Sequence, residues 1–361
     1  MKVLFVTHQL ARISYSGAET LIMRTKKVLQ KNHVGVKMFN RSMDSIDEFD
    51  IIHIFNPFYF PVEALNIIRF ARSHNIRVVT TPIFWFSMKY YQDNYPIRER
   101  IFIKLFYALR GLFFKSGVLE SHHYCYMKRI LDESDIVLTN TWAEAHLAKN
   151  FFYVSHDKFD ILPIAIDESF EFGDPSLFEN TYHLKDFILF VGNISRRKNV
   201  HRLISAFRKI DLDTDLVIIG RAENASYYNL CKRLSTSRVF YLGHIPHGSE
   251  LLKSAYKCAK VVALPSYFET PGVAALEGAL AGANIVITKE GGTQEYFGDY
   301  AWYVNPTDEQ SIINALSEAY SVPKNSALAY HIKSNFSSDL VSGKLLQIYS
   351  ALTDLDKGST T

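Results

Sequence analysis

Short apolar, β-branched runs alternate with longer helical stretches along most of this chain. Residues 3–6, 36–39, 51–55, 77–81 and 135–139 read as strands, with helices such as 17–30 (GAETLIMRTKKVLQ) and 62–74 between them. Strands separated by helices of this length imply a parallel, doubly wound sheet. The alternation pauses at residues 163–179, a polar segment with Pro and Asp. It then restarts with strands at 187–191, 216–219, 239–242, 261–263 and 285–288. The pattern describes an α/β protein of two doubly wound, Rossmann-like domains facing a cleft. Their expected ranges are 1–168 and 169–335, with a C-terminal helix at 336–353 packing back toward the first domain. In such sheets ligands bind beyond the carboxyl ends of the strands, so functional residues are expected in the loops that follow them.

Composition narrows the function classes. A chain of 361 residues is long for one core and suits two domains, and its 48% hydrophobic and 21% charged residues exclude wholesale disorder. A net charge of +3 calls for no nucleic-acid partner. Cys125, Cys231 and Cys258 are distant, odd in number and without a CxxC pair, so they read as reduced buried thiols. No metal and no organic cofactor is expected. His122 and His123 lack the spaced Cys or carboxylate partners of a metal site. No run approaches the ~18 apolar residues of a membrane span, and the first apolar run stops at His8, too short for a secretory signal. The expected location is the cytoplasm, either free or peripheral on the inner face of the plasma membrane.

The most informative segment is ETPGVAALE (269–277). Thr270 suits a helix N-cap and Pro271 the first helical position, so a helix is expected from there to about residue 280. Free N–H groups at Gly272 and Val273 would then offer an anion site suited to a diphosphate. Glu277 lies five residues further along, about 7.5 Å of helix axis. A carboxylate on either side of an anion site matches the length of a nucleotide-sugar, and each can accept hydrogen bonds from vicinal hydroxyls. Either glutamate alone reads better as an ordinary surface charge; the helix start between them favours a site.

FVGNISRRKN (190–199) runs a strand into a turn at Gly192 and then three cations, Arg196, Arg197 and Lys198. Phosphate is expected at that place in the fold, although a solvated basic turn fits the segment equally well. The paired glycines Gly291 and Gly292 follow the strand at 285–288, where a plain turn is the commoner explanation. In the first half, only Gly17 stands at the helix start after the first strand. The GxGxxG and GxxxxGK[ST] fingerprints are missing there, which argues against hydride transfer and P-loop chemistry. Residues 84–130 are aromatic and basic, with eight cations against three acids for a net +5. Two readings stand equally: a helix in an anionic membrane interface, or a core-facing helix with a solvated basic face.

With these residues in place, nearly the whole chain resembles the retaining GT-B glycosyltransferases often called family 4. SGAE (16–19) is similar to that group's GGAE, DIIHIFN (50–56) to its D-I-V-H strand, and LPIAID (162–167) to I-P-N-G-V-D. FVGNISRRKN is similar to V-G-R-L-x-P-R-K-N, and FETPGVAALEGALAG has the E-x7-E spacing. The resemblance implies metal-independent transfer of a sugar from a nucleoside-diphosphate donor with retention of anomeric configuration. Carried over by position, Glu269 contacts sugar hydroxyls beside the anomeric carbon and Glu277 the ribose. Lys198 and Arg197 bind the diphosphate, where Thr270, Pro271, Gly272, Val273 and Ala274 complete the cradle. His244 and Ile245 lie against the base, and Gly17 lets the first-domain loop close over the donor. Asn193 stands where many members have Arg, which shifts phosphate binding toward Arg196 or Arg197. Many members also carry a His after the strand at 77–81, and this chain has none there. The implied acceptor is a glycan or lipid-linked glycan in cell-surface polysaccharide or glycoconjugate synthesis. A nucleotide-sugar epimerase of the same fold and a non-catalytic nucleotide-sugar-binding protein are the rivals.

Overall fold

The computed structural model describes residues 1–8, 17–40, 45–116 and 122–354. It divides into two compact units. The first comprises Met1–Phe86, Ile97–Ala165 and Ser338–Thr361, and the second Ser87–Pro96 and Ile166–Ser337. The chain changes unit at 165/166. Residues 87–96 lie with the second unit, which nothing in the sequence pattern suggests, and the C-terminal helix Ser338–Asp354 lies with the first.

The first unit holds β1 (Lys2–Val6), β2 (Gly35–Met38), β3 (Ile51–Phe55), β4 (Arg77–Thr81), β5 (Ile136–Thr139) and β6 (Phe159–Ile161), in the order β2-β1-β3-β4-β5-β6. The second holds β7 (Ile188–Val191), β8 (Leu216–Ile219), β9 (Val239–Gly243), β10 (Val261–Leu264), β11 (Asn284–Thr288) and β12 (Trp302–Val304), in the order β12-β11-β10-β7-β8-β9. Every strand pairing is parallel. Central strands β3, β8, β10 and β11 are buried along their whole length, as sheets covered by helices on both faces demand. β6 and β12 were not expected from the sequence. Each is three residues long, too short to show a period, and earns its place by pairing at a sheet edge.

Strand order fixes where a ligand fits. In the second unit the order reverses between β7 and β10, so the chain leaves these neighbouring strands toward opposite faces and opens a crevice at their carboxyl ends. The turn after β7 and the loop after β10 carry the two segments singled out above.

Candidate functional site

Beyond β7 the chain turns at Gly192 (φ 148°), whose N–H donates to the Ile219 carbonyl at 3.0 Å. The approach of that turn to the end of β8 is close. A Cβ on Gly220 would stand 1.9 Å from the Gly192 carbonyl oxygen, so position 220 admits only glycine. The three cations that follow part company. Arg196 lies over the Tyr227 ring, 5.4 Å from its centroid. Arg197 lies over the Phe268 ring at 5.2 Å and donates from Nη1 to the Phe268 carbonyl at 3.3 Å. Lys198 turns inward, its Nζ 2.5 Å from Glu269 Oε1. Asn193 is exposed and donates to Glu223 at 3.0 Å.

Asn199, buried in a left-handed conformation (φ 59°), explains why Lys198 is held there. Its Nδ2 donates to the carbonyls of Pro265 (2.9 Å) and Pro306 (2.8 Å), while the Tyr267 N–H donates to the Arg197 carbonyl at 2.9 Å. The turn after β7 is thereby stitched to the loop after β10.

Glu269 is 5% exposed, and its Oε1 also accepts from Ser266 Oγ at 2.6 Å. Its backbone makes a parallel bridge to Gly291: the Glu269 N–H donates to the Glu290 carbonyl at 3.2 Å, and Gly292 donates to the Glu269 carbonyl at 3.0 Å. A Cβ on Gly291 (φ 107°) would lie 2.0 Å from that carbonyl oxygen. The paired glycines therefore seat the backbone of Glu269. The helix start differs from expectation. The helix is Val273–Leu280 with Gly272 as N-cap, and Thr270 and Pro271 belong to the preceding loop. A left-handed Gly272 (φ 99°) interrupts helical geometry, so the two residues before it cannot be the cap and first turn. Ala275 and Leu276 donate to the Gly272 carbonyl, which leaves the N–H groups of Val273 and Ala274 with no acceptor within the helix.

Glu277, 3% exposed, has both oxygens engaged: Oε1 is 2.7 Å from Nε2 of the partly exposed His247, and Oε2 accepts from the Tyr256 hydroxyl at 3.0 Å. Neither partner was foreseen; His247 lies two residues past Ile245, the last residue of the base-binding pair that the resemblance implies. His244 is exposed beyond β9, whereas Ile245 is buried in the core of this unit. Gly17 opens the helix Gly17–Lys31 of the other unit; Ser16 before it lies outside the described residues.

Burial pushes the Lys198 ammonium below its ordinary range, against the opposing pull of Glu269. Burial acts to raise the Glu269 pKa, but Lys198, Arg197 and the hydrogen bonds outweigh it and hold the carboxyl below its ordinary value. Glu269 is therefore ionised at neutral pH. No group of His, Cys, Asp and Glu among the described residues could hold a metal ion.

Residues 87–96 also border this loop. The short helix Met88–Asn94 places Asp93 Oδ2 to accept from Arg202 Nη2 (2.9 Å) and the Tyr267 hydroxyl (2.8 Å). Lys89 pairs with Glu290 at 2.5 Å, and the Tyr90 ring meets Tyr267 edge-on at 5.3 Å. In the sequence these residues showed only as part of a charge excess.

The two sheets, with buried charge at the β7–β10 switch point, define a GT-B glycosyltransferase fold. Residues 178–333 match the family described as Glycosyl transferases group 1. Over 112 residues the chain is 38% identical to an uncharacterized glycosyltransferase of Methanocaldococcus jannaschii, covering 30% of this chain and 28% of that protein. It is 28% identical over 182 residues to the D-inositol 3-phosphate glycosyltransferase of Arthrobacter sp. (strain FB24), covering 45% and 42%. The chain thus spans less than half the length of these curated relatives. Among solved structures, sucrose-phosphate synthase from Thermosynechococcus elongatus superposes with a TM-score of 0.77 at 16% identity, covering 98% of this chain and 99% of that one. HepE of Anabaena, in complex with UDP-glucose, gives 0.74 at 14% identity, covering 97% and 100%.

Proposed function

We propose that this protein is a retaining, metal-independent glycosyltransferase that moves a sugar from a nucleoside-diphosphate donor to a glycan or lipid-linked acceptor in cell-surface glycoconjugate synthesis. One observation carries the proposal: a buried, ionised Glu269 paired with Lys198 at the β7–β10 switch point, next to the helix start at Gly272. The donor diphosphate occupies the N–H groups of Val273 and Ala274, with Arg197 and Lys198 supplying positive charge. Glu269 accepts from sugar hydroxyls, and Glu277, held by His247 and Tyr256, accepts from the ribose. The solved relative's UDP-glucose points to a uridine diphosphate sugar as the first donor to test.

In the reaction the bond from the anomeric carbon to the diphosphate oxygen breaks as the bond to the acceptor oxygen forms on the same face. The acceptor's proton passes to the departing diphosphate. Positive charge from Lys198 and Arg197 stabilises that leaving group, and such preorganised charge contributes about 10²–10³ in rate per group.

Transfer and donor hydrolysis assayed with UDP-, GDP- and other nucleotide-sugars test the assignment. Lys198→Ala and Glu269→Gln are each expected to lower kcat/KM by about 10²-fold or more. Unchanged activity in both variants, with a donor that the wild type turns over, would remove this site from the reaction.

A further inference from the structure

The helix Ile97–Ser116 of the first unit is apolar on two opposite sides. Its inner side places Phe106, with Tyr107, Phe113 and Phe114, against the core that includes Met127, Phe151 and Phe152. Its outer side carries Ile97, Ile101, Leu105 and Leu112, which are 66, 60, 55 and 64% exposed. Steps of four, four and seven residues keep these side chains on one stripe, about 22 Å long at 1.5 Å per residue. Phe102 stands beside the stripe, 68% exposed. Single exposed apolar residues need no explanation, but five large ones on one helix form an interaction surface.

The charges around this stripe share one sign. Arg98, Lys104 and Lys115 flank it, and none of the three has an ion-pair or hydrogen-bond partner among the described residues. Glu99, the one acid of the helix, projects from another side by its position in the helical repeat. Other cations of the segment are committed: Lys89 to Glu290, Lys128 to Asp132, and Arg110 to the Tyr107 ring and the carbonyls of Asn150 and Phe151. The surface is therefore a convex ridge with an apolar crest and cations on its flanks. An anionic bilayer fits that shape: the crest enters the headgroup–acyl boundary while the cations reach lipid phosphates. Crossing the bilayer is a separate matter, since no helix among the described residues is long and apolar enough for it.

We infer that the helix Ile97–Ser116 docks in the plane of an anionic lipid surface. Docking is independent of the transferase proposal; that the acceptor is lipid-borne follows only if the transferase proposal also holds. Flotation with phosphatidylcholine vesicles, with and without phosphatidylglycerol, tests it at low and high salt. Binding is expected to anionic vesicles at low salt and to weaken as salt rises. At roughly fivefold per cation near such a surface, Lys104→Glu with Lys115→Glu should lower partitioning by about 25-fold or more. Ile101→Ser with Leu105→Ser should lower it by at least about tenfold. Because all four side chains are exposed, melting of both variants should match the wild type. Failure of the wild type to float at low salt would overturn the inference, as would flotation that neither pair of substitutions alters. So would a dimer in sedimentation velocity that Ile101→Ser with Leu105→Ser abolishes, since a second copy would then cover the ridge.

Discussion

Each unit buries a polar constellation against its sheet, and the two differ in charge. In the first, His53 on β3 is fully buried, with Nδ1 2.6 Å from the Tyr349 hydroxyl and Nε2 2.8 Å from Thr81 Oγ1. Burial pushes the imidazole pKa down to about 3 and that of the Tyr349 phenol well up, so all three groups are neutral. The cluster ties β3 and β4 to the C-terminal helix Ser338–Asp354 and leaves neither ring nitrogen for a ligand. In the second unit, Lys198 and Glu269 form a buried ion pair with Arg197 beside it. A satisfied neutral cluster holds a fold together cheaply. A buried ion pair often does no better for stability than apolar residues of the same shape, so stability alone does not account for this one.

The largest expected effect breaks the charged constellation. Glu269→Ala leaves a buried, unpaired Lys198 and should cost about 3–5 kcal/mol of stability as well as activity. Lys198→Met combined with Glu269→Leu should recover most of that stability in urea unfolding while transfer stays lost. A double variant that regains activity would reduce the pair to a structural device.

His53→Leu strands two buried hydroxyls at about 1–3 kcal/mol each, so denaturant midpoints should fall while activity per folded molecule is unchanged. Loss of turnover in a folded His53→Leu would erase the contrast between the units.

Acid sharpens the comparison. His53 has a folded pKa of about 3 against roughly 6.5 when unfolded, so the unfolded chain binds the proton first. Its stabilisation is complete above about pH 6.5 and is lost as pH falls, by about 2 kcal/mol at pH 5. His201 in the second unit, lowered by burial to about 4, has the same sign. Glu269, held below its ordinary value, keeps its contribution above the unfolded carboxylate pKa and loses it as pH falls from there through the folded value, below the range where the histidines act. Unfolding free energies at pH 7, 6 and 5 should therefore decline through histidines, and His53→Gln should flatten the slope by about one proton.

The smallest effect concerns Glu277. Tyr256→Phe or His247→Gln removes a side-chain hydrogen bond to it. Donor KM should rise several-fold, about 1 kcal/mol, with kcat nearly unchanged. A fall in kcat with KM intact would place Glu277 in the transition state instead of in nucleotide binding.

Much of this is legible in the sequence. Among the described residues ten of the twelve strands stand out as β-branched runs, the inner ones most clearly, because a strand buried on both faces must be apolar along its length. The positions of Lys198 and Glu269 follow from short segments next to strand ends. The helix start at Gly272 is not legible in the sequence, because Thr270 and Pro271 have the right local preferences and only the left-handed glycine after them rules them out. His247, Tyr256 and Ser266 carried no signal: each meets its glutamate through folding of the chain, and only the Ser266 contact is close in sequence.

By itself the sequence determined the alternation of strand and helix, the two sheets and the pair of glutamates eight positions apart, since periodicity and motif spacing are local properties. Tertiary structure alone decided that Asn199 stitches the β7 turn to the β10 loop, that Gly291 seats Glu269, and that residues 87–96 lie with the second unit. It also decided which side of the helix Ile97–Ser116 remains uncovered. Those outcomes depend on groups up to about two hundred residues apart, such as Lys89 and Glu290 at a separation of 201, and no local preference encodes such a meeting.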